Sequence, residues 1–141
     1  MTKTAVFISS AKRDAELATR FQGALANLGL DAFLPDSAIE SSKDWRRSIL
    51  AAIRRSDALL LIATPNTSAT SWITYETGMA EALGVPIVVL RPDRFSVTEL
   101  PEEVDASSIF DLDPEAPEGA AHEVAELLSV QRLRLPVVAK A

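Results

Sequence analysis

The 141 residues suit a single domain with a full hydrophobic core, and 48% apolar with 24% charged residues is ordinary for a soluble globular chain. The net charge of −6 argues against the basic face that non-specific nucleic-acid binding requires. With no cysteine and a single histidine, His122, there is no disulfide framework, no thiolate nucleophile and no multi-histidine zinc cluster, so no metal is expected.

Taken in order, the chain begins with a short apolar run, Ala5 to Ile8, too brief for a signal-peptide core. No later run approaches the ~20 residues of a membrane span. The expectation is a cytoplasmic chain with no membrane partner. Residues 4–9 are apolar on both faces and predict a buried strand of a parallel sheet. Residues 9–14 follow as a polar loop. A helix is predicted over 14–28, with Leu17, Phe21, Ala24, Leu25 and Leu28 inward and Gly29 as its left-handed cap. A second strand spans 31–34, and 35–43 is a polar loop. Ser41 followed by Asp44 resembles a capping box for a helix over 44–55 that buries Trp45, Ile49, Ala52 and Ile53. Arg46, Arg47, Arg54 and Arg55 flank that stripe as a solvated face.

Residues 57–63 are apolar almost throughout and predict a central strand, followed by a loop over 64–70 and a helix over 71–83 capped by Gly84. A fourth strand is expected over 85–90, an irregular stretch over 91–104 and a fifth, edge strand over 107–112. The most linker-like segment, 111–119, is acidic and proline-rich. A last amphipathic helix is predicted over 118–132, with His122 beside its inner face in a structural or surface role. Alternating strands and helices of this length predict a three-layer α/β/α domain of the flavodoxin-like kind, with five parallel strands in the order 2-1-3-4-5. In that order, ligands bind at the carboxyl ends of strands 1 and 3, between the loops at 9–14 and 64–70.

The helix over 71–83 carries the oddest residue. Trp72, Glu76, Met79, Ala80 and Leu83 share one helical stripe, so a carboxylate falls among core-facing positions. Burying a lone charge is costly, and such an acid requires a partner, a ligand or a wet pocket. Gly78, in mid-helix, costs about 1 kcal/mol relative to alanine and suggests close packing against the backbone there. Topology places Glu76 beside the default ligand crevice.

Several chemistries are excluded. A phosphate-acceptor receiver needs acids after strand 1 and an aspartate ending strand 3, where this chain has Ser9-Ser10 and Ala63-Thr64. Ser10-Ala11-Lys12-Arg13-Asp14 is a poor flavin phosphate loop. Neither GxGxxG nor GxxxxGK[ST] occurs, and a Ser-His-Asp hydrolase would depend on His122 with no nucleophile elbow.

Val6-Phe7-Ile8-Ser9-Ser10 resembles the first-strand motif Phe-Ile-Ser-Tyr of bacterial TIR (Toll/interleukin-1 receptor) domains, with Ser10 in place of tyrosine. Leu28 through Leu34 resembles that family's joint from first helix to second strand. Ile39 through Trp45, then Ile49 and Ala52-Ile53, resembles its BB loop and the following helix, with serine (Ser41 or Ser42) where the loop usually has glycine. Ser56-Asp57 and Ser71-Trp72-Ile73-Thr74-Tyr75-Glu76, with the tryptophan four residues before the glutamate, resemble its strongest motif. The resemblance covers residues 4 to 130, which implies a TIR domain over 1–133 and a C-terminal tail over 134–141.

In enzymatic members of that family, the glutamate matching Glu76 is the key residue for cleaving the nicotinamide–ribose bond of NAD⁺. The products are nicotinamide and ADP-ribose or a cyclic isomer. NAD⁺ is then a substrate, and no cofactor is implied. Ordinary glycoside hydrolysis uses two carboxylates, one to protonate a poor leaving group. Nicotinamide leaves NAD⁺ as a neutral molecule, so one carboxylate suffices. The resemblance therefore implies Glu76 as catalytic residue. Ser9, Ser10, Lys12 and Arg13 become candidates for binding substrate from the first loop, Asp36 and Trp45 from the BB-loop side, and Ser71 and Trp72 from the glutamate's own helix. Trp72 also fits a packing role. The resemblance further implies self-association through TIR–TIR contacts, with antiphage or stress signalling through a downstream effector that senses the nucleotide product. Two other readings stand beside it. A nucleoside deoxyribosyltransferase relative would share the sheet and a catalytic glutamate near Gly-x-Ala, as in Glu76-Thr77-Gly78-Met79-Ala80. A non-catalytic TIR scaffold would have no need of an acid at position 76.

Overall fold

The computed structural model describes residues 3–35, 43–67, 71–92 and 109–134. Its aliphatic runs pair into one all-parallel sheet in the order β2-β1-β3-β4-β5, the predicted flavodoxin-like order. The strands are β1 (Ala5–Ser9), β2 (Asp31–Phe33), β3 (Ala58–Ile62), β4 (Ile87–Arg91) and β5 (Ile109–Asp111). Around them lie α1 (Ala15–Asn27), α2 (Trp45–Arg54), α3 (Ser71–Ala82) and α4 (Glu118–Arg134). A 3-10 turn, Lys12–Asp14, leads into α1. Helix α4 runs two residues past its predicted end.

Strand alternation sorts the core into two layers. Val6, Ile8, Leu60, Ile62, Val88 and Leu90 face α1 and α4, against Phe21, Leu25, Val124 and Leu128. Phe7, Leu59, Leu61, Ile87 and Val89 face α2 and α3, against Ile49, Ile53, Ile73 and Ala80. Strand β3 is buried along its whole length, as its unbroken Ala58-Leu59-Leu60-Leu61-Ile62 run requires of a central strand covered on both faces. Each leucine or isoleucine of the run contributes about 1.5–3 kcal/mol by leaving water.

The two predicted glycine caps are present. Gly29 (φ 86°) and Gly84 (φ 72°) adopt the left-handed conformation that L side chains resist. Behind each glycine, the next residue closes a Schellman motif. Leu30 N–H donates to Leu25 C=O at 3.1 Å, and Val85 N–H donates to Ala80 C=O at 2.9 Å. Both Leu30 and Val85 are buried, so each helix end is fastened directly to the strand that follows.

Three expectations are revised. Asp44 is the N-cap residue of α2, not part of a capping box inside it; it makes no side-chain cap bond, and its carbonyl accepts from Ser48 N–H. Ser41 and the rest of 36–42 lie outside the described residues. Among the described side chains of α3, the buried ones are Ile73, Glu76, Thr77 and Ala80, with Met79 and Leu83 only partly covered; the side chain of Trp72 lies outside the described residues. The stripe is thus centred closer to Ile73 and Thr77 than predicted. Finally, a Cβ added at Gly78 would meet nothing within 4 Å among the described residues, so no close approach explains that glycine.

Candidate functional site

Ser9 ends β1, where it pairs in register with Leu61 of β3. Like Phe7 two residues earlier, it points to the α3 side. Glu76 sits in the second turn of α3, held inward by Ile73 and Ala80. The Ser9 hydroxyl donates to Glu76 Oε1 at 2.7 Å across 67 residues of sequence. Both residues are 0% exposed, and Oε2 is equally shut off from solvent. A hydrogen bond from a hydroxyl to a carboxylate is among the stronger ones, and low local dielectric strengthens it further. Thr77, the other polar residue on this stripe, is satisfied within its own helix, donating to Ile73 and Thr74 carbonyls at 2.9 and 3.2 Å. Among the described residues, Glu76 is therefore the one buried ionisable side chain on the inner stripe of α3, at the carboxyl ends of β1 and β3.

Around it, the loops after β1 and β3 meet. Thr64 Oγ1 donates to Asp14 Oδ2 at 2.6 Å, and Asn66 Nδ2 donates to Asp14 Oδ1 at 3.2 Å. Thr64 Oγ1 accepts from Asn66 N–H at 3.1 Å. Thr64 N–H donates to Thr67 Oγ1 at 2.9 Å, and the Thr67 hydroxyl points on to Ile62 C=O at 3.3 Å. These four residues were not among the sequence candidates. Thr64-Pro65-Asn66-Thr67 carries the composition of a turn. Nothing in local spacing says that an aspartate some fifty residues earlier receives it.

The remaining candidates fall as follows. Ser10 is half-buried just beyond β1, and Lys12 and Arg13 are exposed on the 3-10 turn. Trp45 is half-buried at the start of α2, with its ring edge-on to Tyr75 at 5.4 Å and the Arg46 guanidinium 4.9 Å from its centroid. Its visible role is to join α2 to α3 one residue before Glu76. Asp36 lies outside the described residues, as do the side chains of Ser71 and Trp72. His122 is exposed on α4, in the opposite layer. Among the described residues, no cluster of three or more metal-ligating side chains occurs, and no helix is long and apolar enough to cross a membrane.

Solved structures share this architecture. The TIR domain of the Toll-related receptor TRR-2 from Hydra magnipapillata aligns with a TM-score of 0.67 at 15% identity, over 88% of this chain and 97% of that one. The TIR domains of the activated Roq1 resistosome, which directly recognises the pathogen effector XopQ, align at 0.55 and 18%, over 63% of this chain and 57% of that one. This chain thus spans little more than half of the Roq1 chain compared. A diflavin flavoprotein A3 from Nostoc sp. aligns at 0.60 and 11%, over 94% and 98%. A flavoprotein scores among the TIR domains, so these likenesses show the fold and leave function to the site. A comparison with curated proteins finds no match. The sequence itself is more specific: the TIR domain profile matches residues 6–128, which spans both Ser9 and Glu76. On that match the chain belongs to the TIR domain family.

Proposed function

We propose that this chain is an NAD⁺ nucleosidase of the TIR family, with Glu76 as its catalytic residue. The observation that carries this reading is the buried carboxylate held by Ser9 at the carboxyl ends of β1 and β3. A scaffold has no use for a charge in that place, where desolvation makes it costly. An enzyme does. As the bond from C1′ to nicotinamide breaks, the leaving group takes the bonding pair and departs neutral, and positive charge grows on the ribose. A fixed anion in a dry site stabilises that charge without first reorganising solvent. Water then attacks C1′ and loses a proton to give ADP-ribose; if a nucleophile of the ADP-ribosyl group itself attacks, a cyclic isomer forms. Ser9 fixes the carboxylate, while Ser10, Lys12 and Arg13 lie on the loop that would meet the pyrophosphate or adenosine. Trp45, Asp36, Ser71 and Trp72 complete the candidate surroundings.

In the structure Glu76 is wholly covered, so a ribose reaches it only when its cover shifts. That favours an enzyme gated by self-association, consistent with a fold likeness to TIR domains of an activated resistosome. The product would then serve as a signal to a downstream effector, in antiphage or stress responses. The test is incubation of the purified protein with NAD⁺, concentrated and with a crowding agent, beside Glu76→Gln. Release of nicotinamide by the wild type alone supports the reading, and product masses separate hydrolysis from cyclisation. Equal inactivity of both proteins under assembling conditions shifts the reading to a scaffold.

A further inference from the structure

We infer that Asp14 is a positioning residue for substrate binding: it clamps the Lys12–Asp14 turn to the loop that feeds α3 and thereby fixes the mouth of the crevice. An aspartate in the N-cap position ordinarily accepts a hydrogen bond from its own helix, a contribution of about 1 kcal/mol. Asp14 occupies the N-cap of α1 and makes no such bond. Both of its oxygens are turned outward to Thr64 and Asn66, fifty and fifty-two residues away. The arrangement leaves little slack. The Thr64 hydroxyl donates to Asp14 and accepts from Asn66 N–H, while Thr67 receives Thr64 N–H and reaches back to Ile62 at the end of β3. On the other side, Asp14 N–H donates to Ala11 C=O at 2.9 Å, and Ala11 is buried. Lys12 and Arg13 therefore project from a turn anchored at both ends, one end by the core and the other by the clamp.

Glu76 does not depend on this clamp for its place. Ser9 holds it from the end of a central strand, and Ile73, Thr77 and Ala80 bury the helix on which it sits. Breaking the clamp should loosen the basic turn and leave the carboxylate where it is. The consequence is weaker substrate binding with turnover nearly intact, a split that a general loss of stability would not produce.

The kinetic arm of the test rests on the NAD⁺-cleaving reading; a second arm does not. Asn66→Asp sets two carboxylates face to face, and adding Asp14→Asn restores a donor–acceptor pair with its polarity reversed and leaves an oxygen at position 14 for the Thr64 hydroxyl. Asp14→Asn alone keeps a donor–acceptor pair, because the Asn66 amide can turn its oxygen to the new NH₂, and it serves as the control. Asn66→Asp is expected to raise KM for NAD⁺ about tenfold with kcat within about twofold, and the double variant to recover most of the loss. Thr64→Val should behave like Asn66→Asp, and Thr64→Ser like the wild type. Unchanged KM in Asn66→Asp, or no recovery in the double, overturns the proposal. If the wild type does not cleave NAD⁺, amide hydrogen exchange at positions 14 and 66 decides. Exchange about tenfold faster in Asn66→Asp and restored in the double supports the clamp, and unchanged exchange overturns it.

Discussion

On the α1/α4 side of the sheet, an apolar cluster runs from Val6 and Ile8 through Phe21 and Leu25 to Val124 and Leu128. On the α2/α3 side, the same strands set Phe7, Leu59 and Leu61 close to a serine and a carboxylate. The difference shows a division of labour. One layer removes apolar surface from water and is free to do nothing else. The other gives up part of that gain to bury an ionisable side chain held by a serine.

Substitutions that separate the two layers test this directly. The largest effect is expected from Glu76→Gln, which keeps the shape and removes the charge. NAD⁺ cleavage should fall about a thousandfold, equivalent to about 4 kcal/mol, while the urea midpoint stays level or rises. A midpoint that drops sharply would instead make Glu76 a structural residue. Next comes Phe21→Ala on the opposite layer, expected to cost about 3–4 kcal/mol of stability by opening a cavity. Its activity per folded molecule should be unchanged, and reduced turnover in the fully folded variant would mean that the layers are coupled.

Ser9→Ala is expected to move both readouts. Removing the hydroxyl takes a hydrogen bond from a buried carboxylate, with a loss of about 1–3 kcal/mol in stability and about tenfold in kcat. Retention of both by Ser9→Thr would identify the hydroxyl as the relevant group. The smallest effect is Gly78→Ala. With nothing within 4 Å of the added methyl among the described residues, helix propensity alone should raise stability by about 0.5–1 kcal/mol. Destabilisation there would reveal a neighbour that the close-packing expectation anticipated.

These cases also mark what was legible in the sequence. The sheet order followed from the alternation of short apolar runs with helical periods, and the helix ends from Gly29 and Gly84, because both signals are local. Glu76 stood out for the same reason: an acid in a stripe of apolar residues is visible without knowing what it meets. Its contact with Ser9 was not visible, since the two come together only after the sheet has formed across 67 residues. Asp14 was harder still, because an aspartate at a helix start reads as part of that helix, whereas its bonds lead elsewhere. The α3 stripe was displaced because, among its described side chains, two of the four buried ones, Glu76 and Thr77, are polar and blunt the periodic signal.

The two outer strands carry a consequence for how copies of this chain can meet. β2 and β5 are three residues long, and each presents an exposed aspartate, Asp31 on one and Asp111 on the other. Short, charged borders of this kind discourage another chain from adding a strand. Asp111 also lies 3.6 Å from Arg91 of the neighbouring strand, so approach from that side meets an ion pair first. Crowding copies together is therefore disfavoured from extending the sheet into a fibril. Contact between them is left to helices and loops, the parts that can dock and release while every strand stays paired.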